Sequence, residues 1–446
     1  MLVAPGGVAG CEFVTASGAG KAAGSLLPRG VEAEWDLSAA YREATGTRER
    51  GCINGLWQWQ PAQMTAAGVP SGQWGYFKVP GCWPGITSYM QKDCQRLFAH
   101  PGWRDVSLGS VKAAWYQRRI TVPDGWRGRR IVLAVEYLNS FATVYVDGRR
   151  AGELRFPAGE LDLTELCQPG GTHTLSLHVV ALPLKAIMLS YRDTASAKKV
   201  AGRVDRRGLC GDVWLLGLPS GPCIKDVKID TSVRQWRIRF DVALDRLLPG
   251  RSYKLKAVVK DGGRVVRVFV SPAFDRRQLK HGRFAFAAYW HPQKLWDIHT
   301  PRNMYRAELC LLDADGGLVD AAFPERFGFR EFWIDGRDFY LNGTRIFLCA
   351  VPLDNAQVGA AWATYKAARE SLLRLKSFGI NFVYTHNYGC QPGDHLSFKE
   401  ILDAADEVGM LVALSQPHFA HYDWSAAGAE RTNGYAQHAA FYVRVA

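Results

Sequence analysis

Two stretches late in the chain share one plan, and that plan admits few folds. Leu372-Leu373-Arg374-Leu375-Lys376-Ser377-Phe378-Gly379 leads into the apolar run Ile380–Tyr384, and Ile401-Leu402-Asp403-Ala404-Ala405-Asp406-Glu407-Val408-Gly409 leads into Met410–Leu414. Before each glycine, apolar residues recur at helical spacing (Tyr365, Ala368, Leu372, Leu375; then Phe398, Ile401, Leu402, Ala405). Each glycine falls just past the last turn, where a left-handed residue costs little. Each apolar run lacks polar alternation, as a strand buried on both faces does. The glycines are 30 residues apart, one βα repeat. Thr344–Val351 reads as a first strand ahead of them. The pattern predicts the opening of a (β/α)8 barrel. A whole barrel takes roughly 250 residues. Only 106 run from Leu341 to Ala446, so the expectation is three βα units, the third helix being Tyr435–Ala446.

The middle of the chain reads differently. Arg130–Tyr137 alternates apolar and polar residues, Ala142–Arg149 ends in the hairpin pair Asp147-Gly148, Thr172–Val180 alternates again, and Gly208–Leu215 closes the run. Many short strands with turn signals between them predict an all-β sandwich over 51–218. Pro219-Ser220-Gly221-Pro222 is a linker. A second, immunoglobulin-like sandwich is expected over 219–327, with strands at Val227–Thr231, Trp236–Leu244, Ser252–Lys260, Val265–Val270, Phe284–Ala288 and Arg306–Leu312. Residues 1–50 are poorly patterned, apart from a short helix expected near Trp35–Ala44.

Charge is concentrated. Arg192–Arg283 holds 22 Lys and Arg against 9 Asp and Glu, an excess equal to the +13 of the whole chain. A nucleic-acid binder shows such an excess. Here the charges alternate with apolar residues, as in Arg237-Ile238-Arg239-Phe240-Asp241-Val242, which is how the solvent face of strands reads. No nucleic-acid partner is therefore expected. No apolar run reaches the 18 or more residues of a membrane span, and Met1–Gly30 has no basic-then-apolar leader pattern. Ten Cys include no CxxC pair and no zinc spacing, so free thiols, a weakly favoured cytoplasmic setting, no metal and no cofactor are expected. Fifteen Trp serve sugar stacking or sandwich cores, with core favoured for any one of them.

Several phrases carry a resemblance, in order. They are Ile53-Asn54-Gly55-Leu56-Trp57, Lys78-Val79-Pro80-Gly81-Cys82-Trp83, Trp115–Pro123, Val144–Gly148, Gly208–Leu215, Lys294–Tyr305, and Phe327–Phe332 with Phe339–Leu348. Together they resemble glycoside hydrolase family 2, which includes β-galactosidases, β-glucuronidases and β-mannosidases. The resemblance implies a jelly-roll sugar-binding-like domain, an immunoglobulin-like sandwich and a catalytic (β/α)8 barrel that cleaves terminal β-glycosides with retention. That chemistry needs two carboxyl groups about 5–5.5 Å apart. In the family these are glutamates after strands four and seven, so both are expected outside 1–446. Glu331, Glu370, Glu400 and Glu407 read instead as solvated charges. What remains is pocket lining from strands one to three. After strand two, Tyr384 stands where the family has Arg and Asn387 where it has His; His386 is one place away, and Tyr388 matches. Asp354 after strand one either holds a sugar hydroxyl or caps the loop, and the family's His is absent there. Gln416 and His418 follow strand three, where they either meet the sugar or pack the loop. A non-catalytic carbohydrate-binding protein is the alternative reading.

Overall fold

The computed structural model describes residues 26–33, 37–83, 97–183, 187–191, 197–201, 207–353, 365–385 and 398–413. The chain is mostly β. The strands run β1 (Arg42–Ala44), β2 (Glu49–Cys52), β3 (Gly55–Ala62), β4 (Gly75–Val79), β5 (Leu97–Phe98), β6 (Ala113–Thr121), β7 (Arg129–Val135) and β8 (Leu138–Asn139). They continue with β9 (Phe141–Val146), β10 (Arg149–Arg155), β11 (Gly159–Asp162), β12 (Thr172–Val180), β13 (Ile187–Tyr191), β14 (Ala197–Ala201), β15 (Gly208–Leu209) and β16 (Val213–Pro219). A five-stranded sheet, β1-β2-β16-β7-β11, faces a seven-stranded sheet, β10-β9-β12-β6-β3-β4-β5. Alternation puts Ile131, Leu133 and Val135 of one sheet against Trp57, Trp59, Tyr116 and Leu177 of the other in a single core. Trp59 is its hub, 5.2 Å from Trp103, 5.5 Å from Phe77 and 6.0 Å from Trp83 between ring centroids. These indoles fill the sandwich and are not open to a sugar.

Pairing begins ahead of Gly51: β1 and β2 pair Arg42 with Gly51, and β2 joins β16. The helix expected near Trp35–Ala44 is corrected over its described part. Leu37–Ala39 is one 3-10 turn and Arg42–Ala44 is strand, because the chain there has a strand partner to pair with.

The second sandwich comprises β17 (Cys223–Ser232), β18 (Arg237–Asp245), β19 (Tyr253–Asp261), β20 (Arg264–Val270), β21 (Arg283–Tyr289), β22 (Met304–Asp313), β23 (Leu318–Ala321) and β24 (Glu325–Gly328). Sheet β17-β18-β21 packs on β20-β19-β22-β23, with β24 also on β22. In β18 and β19 every second residue is buried (Ile238, Phe240, Val242; Tyr253, Leu255, Ala257, Val259) while the intervening Arg and Lys stay at the surface. Part of the basic excess is thus a strand face. The apolar residues meet in one core with Phe286, Trp290, Tyr305 and Phe329.

The two sandwiches are clamped by an ion pair without water. Asp320 has no exposure. Its carboxylate takes hydrogen bonds from Arg48, from the Thr47 hydroxyl at 2.6 Å and from the Ile224 N–H at 2.7 Å. Arg48 also donates to the Ile224 carbonyl at 2.9 Å. Around it, Arg246 reaches Asp162 at 3.6 Å and Arg50 lies over the rings of Trp214 and Phe323.

The chain then forms a small antiparallel sheet, β25 (Phe332–Asp335), β26 (Asp338–Leu341) and β27 (Thr344–Ile346), before β28 (Ala350–Leu353). The single strand expected over Thr344–Val351 is therefore two. Asn342 and Gly343 have φ of 53° and 91°, and this two-residue left-handed turn folds Thr344–Ile346 back onto Asp338–Leu341. Helix α1 (Tyr365–Ser377), β29 (Phe382–Thr385), helix α2 (Phe398–Val408) and β30 (Leu411–Ala413) follow, and β28-β29-β30 is a parallel sheet. Both helices end as the glycines foretold. Gly379 and Gly409 have φ of 81° and 75°, and the N–H groups of Ile380 and Met410 return to the Leu375 and Ala405 carbonyls. The third helix expected at Tyr435–Ala446 lies outside the described residues.

Asp320→Ala strands a buried guanidinium, so a loss of about 3–5 kcal/mol is expected in urea unfolding. A loss under about 1 kcal/mol contradicts the clamp. His178, on β12, is 3% exposed and its Nε2–H donates to the Gln63 carbonyl at 2.8 Å. Burial lowers its pKa from the ordinary 6.5, and the Gln63 contact only partly offsets this. The unfolded chain then binds the proton more readily. Stability is fully present above pH 6.5 and falls as pH drops from there toward the lowered value. Urea midpoints between pH 7 and 5 should show this slope, and His178→Gln should flatten it.

Candidate functional site

The parallel sheet is built so that one end of three strands converges. β28 pairs with β29 and β29 with β30, in a register that aligns Val351, Val383 and Val412. Asn381 stitches the incoming ends. It donates to the Phe347 carbonyl at 2.8 Å, accepts from the Cys349 N–H at 2.9 Å, and its own carbonyl accepts from the Leu411 N–H at 3.0 Å. The outgoing ends are Leu353, Thr385 and Ala413. Val383 is fully buried in a cluster with Ala368, Leu372, Ile401, Ala405 and Met410 from the helical side. Strand alternation turns Phe382 and Tyr384 to the opposite face, which is only half-buried.

The helical side is gripped by the second sandwich. Trp296 Nε1–H donates to the Asp406 carbonyl at 2.8 Å, and Arg330 pairs with the Asp406 carboxylate at 2.6 Å while lying 4.3 Å over the Trp296 ring. Arg326 pairs with Asp403 at 3.2 Å. Lys376 Nζ donates to the Ile298 carbonyl at 2.6 Å and to Val408, the last residue of α2. Burial lowers the Lys376 pKa, with Asp297 pulling the other way. At Gly409 a Cβ would stand 2.3 Å from the Ile298 carbonyl oxygen. The helices are tied to each other by Glu407, which takes hydrogen bonds from the Tyr365 hydroxyl and from Arg369 at 2.7 Å.

Glu407 is therefore a packing partner, not a freely solvated charge. So is Glu331. Burial opposes its charge, but hydrogen bonds from Arg234 and Ser232 outweigh that and hold the carboxyl below its ordinary value. The described strands β28–β30 carry no carboxyl group. Burial pushes the Cys52 and Cys167 thiols up to about 11 and about 12, so neither is a thiolate nucleophile at neutral pH. Among the described residues, no group of three or more His, Cys, Asp or Glu is arranged to hold a metal, and no helix is long and apolar enough to cross a membrane.

The residues singled out from sequence, Asp354, His386, Asn387, Tyr388, Gln416 and His418, all lie outside the described residues. Each follows an outgoing strand end within a few positions in the chain: Asp354 after Leu353, His386 to Tyr388 after Thr385, Gln416 and His418 after Ala413. Tyr384, in the place of the family's Arg, is described, at the end of β29 beside Pro352 and Ala413. The supporting set Asn381, Lys376, Trp296 and Arg330 was not read as functional from sequence. Trp296 and Arg330 carried a signal, since they sit in the family-like phrases Lys294–Tyr305 and Phe327–Phe332.

No protein-family profile matches the chain. A putative β-glucuronidase of Formosa agariphila is 25% identical over 387 residues, 84% of this chain and 42% of that protein. A β-galactosidase of Thermoanaerobacter pseudethanolicus is 23% identical over 319 residues, 69% of this chain and 40% of that one. The chain thus spans about two fifths of the length of these curated relatives. Among solved structures, a Bacteroides uniformis β-glucuronidase superposes with a TM-score of 0.58 at 21% identity, over 83% of this chain and 42% of that one. A Ruminococcus gnavus β-glucuronidase in complex with D-glucuronic acid superposes with a TM-score of 0.60 at 17% identity, over 84% and 61%. The fold is that of the sandwich-bearing β-glucuronidases. The relatives matched in sequence, named β-glucuronidase and β-galactosidase, support a glycoside hydrolase family 2-like family for this chain.

Gly409→Ala combines a disfavoured φ with a clash against backbone, so a loss of about 1–3 kcal/mol is expected, confined to α1, α2 and the parallel sheet. Hydrogen exchange should show faster exchange at 365–413 with the sandwich cores unchanged; no change at 365–413 contradicts the docking at Ile298.

Proposed function

We propose that this chain forms the sandwich scaffold and the first βα units of a glycosidase that cleaves terminal β-glycosides with retention. In this reading, 51–218 is a jelly-roll domain, 219–327 an immunoglobulin-like sandwich, and 328–446 the opening of a (β/α)8 barrel. The observation that carries it is the parallel sheet. Purely parallel sheets occur almost only with both faces covered. Here the helices cover one face, Phe382 and Tyr384 on the other are only half-buried, and among the described residues β28 and β30 are open edges. Further βα units closing a barrel would cover that face and use both edges. Phe347 and Phe378, 85% and 82% exposed at the incoming end of the strands, would be covered at the same time.

In a barrel the chemistry sits beyond the outgoing strand ends. Asp354, His386, Asn387, Tyr388, Gln416 and His418 would line the sugar site there. The two carboxyl groups, one a general acid/base and the other a nucleophile, would come from glutamates on later strands of the barrel than β28–β30. The names of the relatives favour hydrolysis over carbohydrate binding alone, and favour β-glucuronides or β-galactosides as substrates.

The test is a panel of aryl β-glycosides offered to the natural gene product that carries this chain. Turnover of at least one is expected. His386→Ala and Asn387→Ala should each lower kcat/KM by roughly ten- to a hundred-fold, the cost of one lost hydrogen bond to a charged or polar sugar group. No turnover across the panel removes the reading. Activity indifferent to both substitutions removes these residues from the pocket.

A further inference from the structure

Among the described residues, strand β20 is an open edge of its sheet, paired with β19 alone. An edge presents a row of unpaired N–H and C=O groups, and proteins blunt it with charges or bulges. β20 is blunted only in part. Val266 is the extra residue of a bulge, and Arg267 follows it. Yet Val265, Val266, Val268 and Val270 are 49, 36, 46 and 55% exposed. Phe269 alone turns inward, 5.7 Å from Phe240 and 5.9 Å from Trp290 between centroids, and fixes the strand in place. The register sets Val270 beside Lys256 and Val268 beside Val258 on the outer face, and Lys254 shares that face two residues away.

The charges here are one-sided. Glu308 is engaged by Lys260 and Asp261 by Lys294, each at 2.6 Å. Among the described residues, no ion pair reaches Lys254, Lys256, Arg264 or Arg267. The edge is therefore apolar, cationic and open for strand addition.

We propose that β20 is a docking edge for an extended segment of a partner protein in which acidic and apolar residues alternate. Its backbone would continue the sheet, its apolar side chains would lie on Val268 and Val270, and its carboxylates, which alternation sends to the other face, would meet Arg264 and Arg267, whose register partners are Asp261 and Val259. A second copy of this chain fits less well. The chain carries +13, and β20 paired with itself brings Arg264 and Arg267 near their own copies.

The probe is a fluorescein-labelled peptide of alternating Glu and Val, titrated by anisotropy against the 446-residue chain, with the Lys/Val peptide as control. Saturable, salt-weakened binding of the Glu/Val peptide is expected, roughly tenfold or more tighter than the control. Val268→Glu and Arg267→Glu should each weaken it by roughly tenfold, while Val268→Thr retains it. These sites are at the surface, and unchanged thermal unfolding would show the fold intact. Arg264→Glu replaces any variant that fails to fold. Absent binding, equal binding of both peptides, or binding indifferent to Val268→Glu and Arg267→Glu overturns the proposal. A dimer seen by sedimentation that Val268→Glu dissolves would make the occupant a second copy and overturn it equally.

Discussion

A carboxylate shut away from water must be paired or it unfolds its surroundings, and Asp320 sets that condition for the relation between the two sandwiches. The contact joins three places far apart in the chain: Thr47 and Arg48 from the first sandwich, Ile224 from β17 at the start of the second, and Asp320 itself from β23. Removing water makes each of these contacts strict in geometry. A shift of either sandwich would leave a charge without a counter-charge, so the pair fixes orientation even where its net contribution to stability is modest. The outer face of the first sandwich's five-stranded sheet (Val132, Trp214, Leu216, Leu218) is buried as well, so apolar burial and the ion pair work together.

The second sandwich passes that fixed position on. The segment after β21 sends Trp296 and Ile298 against α2, where Asp406, Lys376 and Gly409 receive them, and Arg326 and Arg330 reach the same helix from β24 and the residues after it. The parallel sheet hangs on those helices through Val383, Leu372 and Ile401. The outgoing ends of β28, β29 and β30 are thus positioned through a chain of contacts that starts at Arg48. For a site made by loops at strand ends, rigidity below is what holds the loops in reach of one substrate.

Legibility followed the range of the interactions. The strands of the second sandwich were readable because burial on one face imposes a period of two. Trp236–Leu244 was expected and Arg237–Asp245 is observed, and Val265–Val270 became Arg264–Val270. The Asp147-Gly148 hairpin and both helix ends at Gly379 and Gly409 were readable because a positive φ favours few residue types. The same logic at Asn342-Gly343 marks the turn that pairs Thr344–Ile346 with Asp338–Leu341, while the break at 347–349 carries no such mark. Near Trp35–Ala44, local pattern favoured a helix, but the pairing of Arg42–Ala44 with Glu49–Cys52 decided otherwise. Arg48 with Asp320 could not be read at all, since 272 residues separate them. Of the candidate site, the strands themselves were legible, while the contacts of Trp296, Arg330 and Lys376 that brace them depend on tertiary placement.

The central claim is a retaining β-glycosidase whose sugar site lies at the outgoing ends of this parallel sheet. Proton NMR of the first sugar released from an aryl β-glycoside by the natural gene product tests it most directly. The account predicts that the β-anomer is released first and mutarotates afterwards, because two displacements preserve configuration. Initial release of the α-anomer, the mark of a single displacement, would contradict it.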